Sequence, residues 1–365
     1  MTPDISATSI PTGFEFDREL NAMKILITGS SGQIGTNVAL RLLDLGHDVL
    51  GIDKRVNTWT NMFRYILQDL SGHYPSYPTG IGGVDYPLCD VVVHLAAHAK
   101  VHQLVRQPNR ALENIVMAYN VLEYCRQTKT PVIFSSSREV YGDIHRFSTG
   151  EESADFAYTE STYSASKIAG EAMIYSYARC YGVPYLVFRF SNVYGRYDND
   201  IGRMERVIPL FIQRIEQDQP ITIYGAEKLL DFTYVDDCVD GVVHGIETLT
   251  SKKVINQTIN LACGQGNTLV RMAEFIGKAF GKKPKITFAP ALLGEVTRYV
   301  ANISKAKELL GYEPKVPLEE GIRRAVEWSS DWFAKHPDQR STHGNSETHT
   351  AVDIGLKPKE PSTAI

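Results

Sequence analysis

The feature that most narrows what this chain can fold into is a short apolar run that feeds directly into a glycine turn and then a helical pattern. Lys24–Thr28 has the length and apolarity of a buried strand. Gly29-Ser30-Ser31-Gly32-Gln33-Ile34-Gly35 follows it, and an amphipathic stretch covers Gln33–Leu45. Glycines at this GxxGxxG spacing permit a tight turn and a close backbone approach, so that N–H groups and the helix start face an anion such as a pyrophosphate. A glycine-rich turn without a ligand has the same spacing, so the loop needs support. The next apolar run, Val49-Leu50-Gly51-Ile52-Asp53, ends on an acid 24 residues after Gly29, where the hydroxyls of an adenine ribose would lie. A carboxylate there repels a 2′-phosphate and favours NAD over NADP, a preference that Lys54 and Arg55 soften.

Beyond this unit, runs of strand length recur at Asp48–Ile52, Val91–Leu95, Val132–Ser135 and Tyr185–Phe190, with amphipathic stretches at Arg110–Gln127 and Thr162–Tyr181 between them. Strands apolar on both faces and alternating with helices imply an α/β fold, a doubly wound parallel sheet of Rossmann type. The 365 residues suffice for about two domains. Residues 1–22 read as an N-terminal arm without the basic start and apolar stretch of a secretory signal. Residues 336–365 lack Phe, Tyr and Trp, so the region from 335 onward reads as a disordered tail. A net charge of −4 leaves no footprint for nucleic acid or an anionic membrane, and no run of 18 apolar residues exists to span a bilayer. Cys89, Cys125, Cys180, Cys238 and Cys263 are scattered and odd in number, which suits a reducing cytoplasm and argues against a structural metal or disulfide frame.

Tyr163 and Lys167 stand four residues apart in a helical stretch and so share a face. A phenol has a pKa of roughly 10, and bringing it to neutrality takes about 4 kcal/mol. An ammonium ~5 Å away contributes roughly 3 kcal/mol at an effective dielectric of about 20, so Lys167 is expected to supply most of that shift. Phe134-Ser135-Ser136-Ser137-Arg138-Glu139-Val140-Tyr141-Gly142 closes another strand and places hydroxyls at its C-terminal end, the side on which open α/β sheets bind ligands.

With these pieces, and with Asp69-Leu70, His94-Leu95-Ala96-Ala97, Ser191-Asn192-Val193-Tyr194-Gly195, Asp231-Phe232-Thr233-Tyr234-Val235-Asp236-Asp237 and Ile303-Ser304-Lys305-Ala306, residues 23–333 resemble the extended short-chain dehydrogenase/reductase family. The resemblance is to its NAD-dependent nucleotide-sugar epimerases and dehydratases, of the UDP-glucose 4-epimerase type. It implies an NAD-binding domain over 23–190, with 231–262 returning to it. A smaller, partly interleaved C-terminal domain over 191–230 and 263–334 would hold the nucleotide-sugar. It implies that Gly29, Gly32, Gln33, Ile34, Gly35, Asp53, Asp69, Leu70, Ala96, Tyr163 and Lys167 hold the cofactor. Ser137 would bond the sugar 4-hydroxyl, Tyr163 would take its proton, and Lys167 would also hold the nicotinamide ribose. Asn192 would contact the substrate diphosphate, with Arg298 a candidate for the same phosphates. Helices near 105–127 and 159–181 would pair two copies as a homodimer.

Many relatives carry Arg directly before the Asp-Phe-Thr-Tyr-Val segment; here Leu230 stands there, and Lys228 is a candidate substitute. After the position of Ser137, dehydratase relatives tend to carry Asp-Glu and decarboxylase relatives Ser-Glu, whereas this chain has Arg138-Glu139. Glu139 fits a base or an orienting group. Arg138 is a poor proton donor, which argues against elimination, and either contacts a substrate carboxylate or pairs with a nearby acid. The expectation is a nucleotide-sugar 4-epimerase acting on a UDP-hexose or UDP-uronic acid through a 4-keto sugar. A 4,6-dehydratase or a UDP-glucuronate decarboxylase is the alternative, and a non-catalytic NAD-sensing protein is an alternative of another class. His94, His98 and His102 are spaced four apart, but His94 ends an apolar strand run, so no metal is expected.

Overall fold

The structure, a computed structural model, describes residues 22–72, 80–81, 84–143, 148–198, 206–292 and 294–337. The arm proposed for 1–22 lies outside the described residues except for residue 22, and so does the tail beyond 337. The first half runs β1 (Lys24–Thr28), α1 (Gln33–Asp44), β2 (Asp48–Asp53), β3 (Arg64–Leu67), β4 (Gly80–Ile81), β5 (Val84–Asp85), β6 (Val91–His94), α2 (Val101–Arg106), α3 (Asn109–Thr128) and β7 (Val132–Ser137). Then come α4 (Thr162–Tyr181), β8 (Tyr185–Phe190), β9 (Asn192–Tyr194), α5 (Val207–Glu216), β10 (Ile221–Tyr224), β11 (Leu229–Tyr234) and α6 (Val235–Thr250). The chain closes with β12 (Gln257–Leu261), β13 (Gly266–Thr268), α7 (Leu269–Phe280), β14 (Ile286–Ala289), β15 (Arg298–Tyr299), α8 (Ser304–Leu310) and α9 (Leu318–Lys335).

Seven strands form one sheet in the order β12-β8-β7-β6-β1-β2-β3, every neighbouring pair parallel. Side chains alternate across a strand, so each strand serves two cores. Ile25, Ile27, Val91, Val93, Leu186 and Phe188 join the core that includes Val38 and Leu42 of α1 and Val239 and Val242 of α6. Leu26, Val92, Val132, Phe134 and Val187 join the other, with Met117, Val121 and Leu122 of α3 and Ile174 of α4. Each fully buried aliphatic side chain contributes roughly 1.5–3 kcal/mol, which explains why strands without a polar face are stable here. The strand order reverses between β1 and β6, and the crevice outside their C-terminal ends is where a ligand fits such a sheet.

The second lobe is built around β11, which pairs parallel with β9 and β15 and antiparallel with β13; β10 and β14 form a separate parallel pair. This corrects the returning segment read as 231–262. Residues 231–234 belong to β11 in the small sheet, and the return to the large sheet is made by α6 and β12, which pairs with β8. A patch of rings spans the lobes: Trp59, after β2, lies edge-on to Trp328 and Trp332 of α9, at 5.8 and 5.2 Å, and Tyr197 packs against all three. Among the described residues no helix is long and apolar enough to cross a membrane.

Helix α4 starts on a reciprocal cap: the Ser161 hydroxyl accepts from the Ser164 N–H at 3.2 Å, and the Ser164 hydroxyl accepts from the Ser161 N–H at 3.1 Å. It ends on Gly182 at φ 71°. Replacing Ser161 by Ala removes one acceptor at the helix start and should cost about 1 kcal/mol. A urea midpoint unchanged from the native protein would show that the cap is dispensable.

Candidate active site

The glycine loop sits at the strand-order reversal. Gly29 follows β1 at φ +74°, and a Cβ there would come within 2.7 Å of the Ala96 nitrogen, just beyond β6. A Cβ on Gly35 would run into the Gly29 carbonyl, so loop and helix lie closer than any side chain allows. Gly32 caps α1 without a side-chain bond, leaving the first-turn N–H groups open to an anion. Asp53 is buried and accepts from the Ser31 N–H and the Arg55 N–H, each at 2.9 Å, while the Arg55 Nε lies 3.7 Å away. Asp53, at the end of β2, therefore also ties the glycine loop to that strand. Gln33 accepts from Arg206 at 2.6 Å, and its own buried amide Nε2 has no partner among the described residues. Ile34 packs against the core, and Ala96 is held by its N–H on the Thr28 hydroxyl at 3.2 Å. Asp69 lies 3.7 Å from Lys54, and Leu70 is buried, its carbonyl bonded by Asn120. A cradle that a Cβ would fill, an uncapped helix start and a carboxylate at the end of β2 fit a dinucleotide.

Across the crevice, three consecutive serines at the end of β7 meet one face of α4. The Ser135 carbonyl accepts from Lys167 Nζ at 2.7 Å, the Ser136 hydroxyl donates to Glu171 at 2.5 Å, and Ser137 lies beside Tyr163. Glu171 is in turn gripped by Arg189 of β8 through Nε at 2.9 Å and Nη2 at 2.7 Å, both side chains buried. Arg189 also donates to the hydroxyl of Tyr141 at 3.1 Å. Neither Glu171 nor Arg189 stood out in the sequence, although Tyr163, Lys167 and Glu171 repeat every fourth residue, which places all three on one helix face.

Burial pushes the Tyr163 phenol up to about 12; Ser137 draws it down, Glu139 pushes it up, and Arg138 and Arg206 draw it down. Burial brings the Lys167 ammonium down to about 8, against the raising effect of Glu171. This corrects the expectation that Lys167 supplies most of the fall in the phenol's pKa. The ammonium lies 5.8 Å from the centre of the Tyr163 ring and is turned to the Ser135 carbonyl, and loss of water penalises both charged forms.

Arg138 and Glu139 form the turn after Ser137. The Arg138 Nη2 meets Glu139 Oε1 at 2.9 Å, the Arg138 Nε donates to Asn192 Oδ1 at 3.3 Å, and Asn192 donates to the Asp231 carbonyl at 2.9 Å. Arg138 thus pairs with the acid next to it in the chain. Glu139 is buried and held above the usual carboxylate range by that burial, with Arg138 and Lys228 opposing and Glu295 and Asp143 adding to the rise. Arg298 begins β15, opposite Leu229, and its N–H reaches Asp143 at 3.3 Å. Leu230 is a core residue, and Lys228 is buried against Glu295 at 2.5 Å. His94 is buried against Thr28 at 2.7 Å and His98 pairs with Glu113 at 2.6 Å; among the described residues no His, Cys, Asp and Glu cluster forms a metal site.

A sequence profile of the NAD dependent epimerase/dehydratase family matches residues 25–262. A UDP-glucuronate 4-epimerase of Thermodesulfobacterium geofontis is 31% identical, over 84% of this chain and 96% of its own length. The crystal structure of UDP-glucose 4-epimerase from Thermotoga maritima with UDP-glucose is similar at a TM-score of 0.75 and 29% identity, covering 85% of this chain and all of that one. The UDP-glucuronic acid 4-epimerase of Bacillus cereus, solved with UDP-glucuronic acid and NAD, gives a TM-score of 0.75 and 27% identity, covering 85% of this chain and 100% of its own.

A lysine lowered to about 8 in the folded chain, against 10.5 when solvated, takes up fewer protons folded than unfolded across that interval. Its burial therefore costs stability below pH 8, and the cost fades as pH rises toward 10.5. Lys167→Met should raise the denaturation midpoint at pH 7, with a gap to the native protein that narrows above pH 8. An equal or lower midpoint at pH 7 would contradict the buried charge.

Proposed function

This chain belongs to the NAD dependent epimerase/dehydratase family, and on that premise we propose that it inverts carbon 4 of a UDP-linked sugar. The observation that carries this reading is the convergence of Ser137, Tyr163 and Lys167 at the crevice opposite the glycine loop. The nicotinamide of bound NAD supplies a hydride acceptor and donor for carbon 4. Gly29, Gly32 and Gly35 with the start of α1 would hold its pyrophosphate, Asp53 its adenine ribose, and Leu70, Ala96 and Lys167 its remaining parts. Ser137 holds the oxygen of the 4-hydroxyl, and Tyr163 accepts its proton and later returns it. Lys167 keeps positive charge beside the phenol as that proton moves. Asn192 and Arg298 would contact the diphosphate.

Dehydration or decarboxylation also begins from a ketone at carbon 4. Loss of water needs an acid for the departing group next to the base that Glu139 would provide, and Arg138 stays charged at any working pH. Inversion is a better reading than loss of water for that reason.

Tyr163→Phe should lower turnover by about 10²–10⁴-fold while leaving substrate binding nearly intact. Product analysis in deuterated water gives the sharper answer. Carbon-bound deuterium at position 5, or loss of water or CO₂ from the product, would replace inversion with dehydration or decarboxylation. A separate measurement concerns Asp53: calorimetry should show NAD bound more tightly than NADP, and Asp53→Ala should narrow the difference. Equal affinities in the native protein would remove the ribose assignment.

A further inference from the structure

The glycine loop is fastened from two directions. Its first half is tied within its own lobe: Asp53 accepts from the Ser31 N–H, the Ser31 hydroxyl donates to the Arg55 carbonyl at 2.9 Å, and Asn57 Nδ2 donates to the Ser30 carbonyl at 3.4 Å. Its second half is tied from the other lobe. Arg206, the residue before α5, donates through Nη1 to Gln33 Oε1 at 2.6 Å and to Asp198 Oδ1 at 2.7 Å, and through Nη2 to the Val193 carbonyl. Asn37 of α1 adds a link, its Nδ2 reaching the Gln33 carbonyl at 2.9 Å and the Arg196 carbonyl at 3.3 Å.

The segment that supplies these partners is itself held firmly. Val193 lies in β9, which pairs with β11, and Arg196 meets Asp236 in the first turn of α6 at 2.7 Å. Tyr197 holds a φ of +61°, a conformation that a bulky residue keeps where its surroundings fix it. Its ring packs against Trp59, Trp328 and Trp332. Trp59 leads back to the loop, because its N–H donates at 2.9 Å to Asn57 Oδ1, and Asn57 is the residue bonded to Ser30. Contacts therefore run in a closed circuit from Gln33 through Arg206, Asp198, Tyr197, Trp59 and Asn57 to Ser30.

Such a circuit matters for a loop of this composition. Glycine loses more conformational freedom on ordering than any other residue, and Gly29, Gly32 and Gly35 stand within seven positions. A loop ordered before its ligand arrives avoids that loss at binding. Arg206 gives Gln33, the first residue of α1, a charge-assisted hydrogen bond, the stronger kind. The buried carboxylate of Asp198 offsets the guanidinium's charge at the same nitrogen, which suits a clamp on the loop better than a direct ligand for an anion.

We propose that Arg206 is a positioning residue for the cofactor: through the Gln33 amide it holds the glycine loop in its NAD-binding shape, so the second lobe sets how tightly NAD is held. The inference rests on the glycine loop as the pyrophosphate cradle and is independent of the reaction that follows.

A double-mutant cycle on the full chain, read by calorimetric binding of NAD, tests it. Arg206→Met should raise the dissociation constant about tenfold, and Arg206→Lys, which keeps the charge and a donor, by less. Gln33→Ala should raise it to a similar extent, and adding Arg206→Met to Gln33→Ala should cause little further loss. Gln33→Ala leaves Arg206 with Asp198 and Val193, so this arm stands even if Arg206→Met, which strands Asp198 in the core, does not fold. An unchanged dissociation constant in either single variant overturns the brace, and a lower urea midpoint alone would mark a merely structural role. Losses that multiply in the double variant overturn it as well, because the guanidinium would then meet the cofactor directly. Failure of the native protein to bind NAD would instead remove the cradle, and the brace with it.

Discussion

The site depends on how α4 is fastened to the end of β7. Ser135, Ser136 and Ser137 each engage a different residue of one helical face: Lys167 through a carbonyl, Glu171 through a hydroxyl, and Tyr163 at the open end. Shifting α4 by a single residue would break all three at once, since the helix turns by about 100° per residue while the strand alternates sides. The deepest link, Glu171 with Arg189, is a buried ion pair and adds little net stability on its own. Losing one partner would strand a charge in the core, so the pair acts as a register pin.

Much of the fold was legible because it follows from two periodicities. The five apolar runs became β1, β2, β6, β7 and β8, with Val132–Ser135 extending to Ser137 and Val91–Leu95 stopping at His94. Thr162–Tyr181 appears as α4 without change. The placement of β11 was not legible: Leu230-Asp231-Phe232 has the apolarity of a large-sheet strand, and only tertiary pairing with β9, β13 and β15 decides otherwise. Partners remote in the chain, such as Arg189 for Glu171 and Asp143 for Thr297, leave no local trace either. The sign of the Tyr163 shift has no local trace for a related reason, since a lysine one turn away says nothing of the loss of water that every neighbour in the cluster imposes.

The same loss of water explains the character of the site. Tyr163, Lys167 and Glu139 are all held away from their solution pKa values by burial, each toward its neutral form. Small charge movements in such a place are felt strongly, which suits a reaction that moves one proton and one hydride without changing the composition of its substrate.

The ring patch that bridges the lobes has an optical consequence. Trp59, Trp328 and Trp332 are the only tryptophans in the chain, and their ring centres lie 5.2–5.8 Å apart. All three indoles therefore sit at one place, so the tryptophan signal of the protein reports on the seam between the loop after β2 and the last helix. The molecule carries its own strain gauge there, reading the contact between its lobes without an added label.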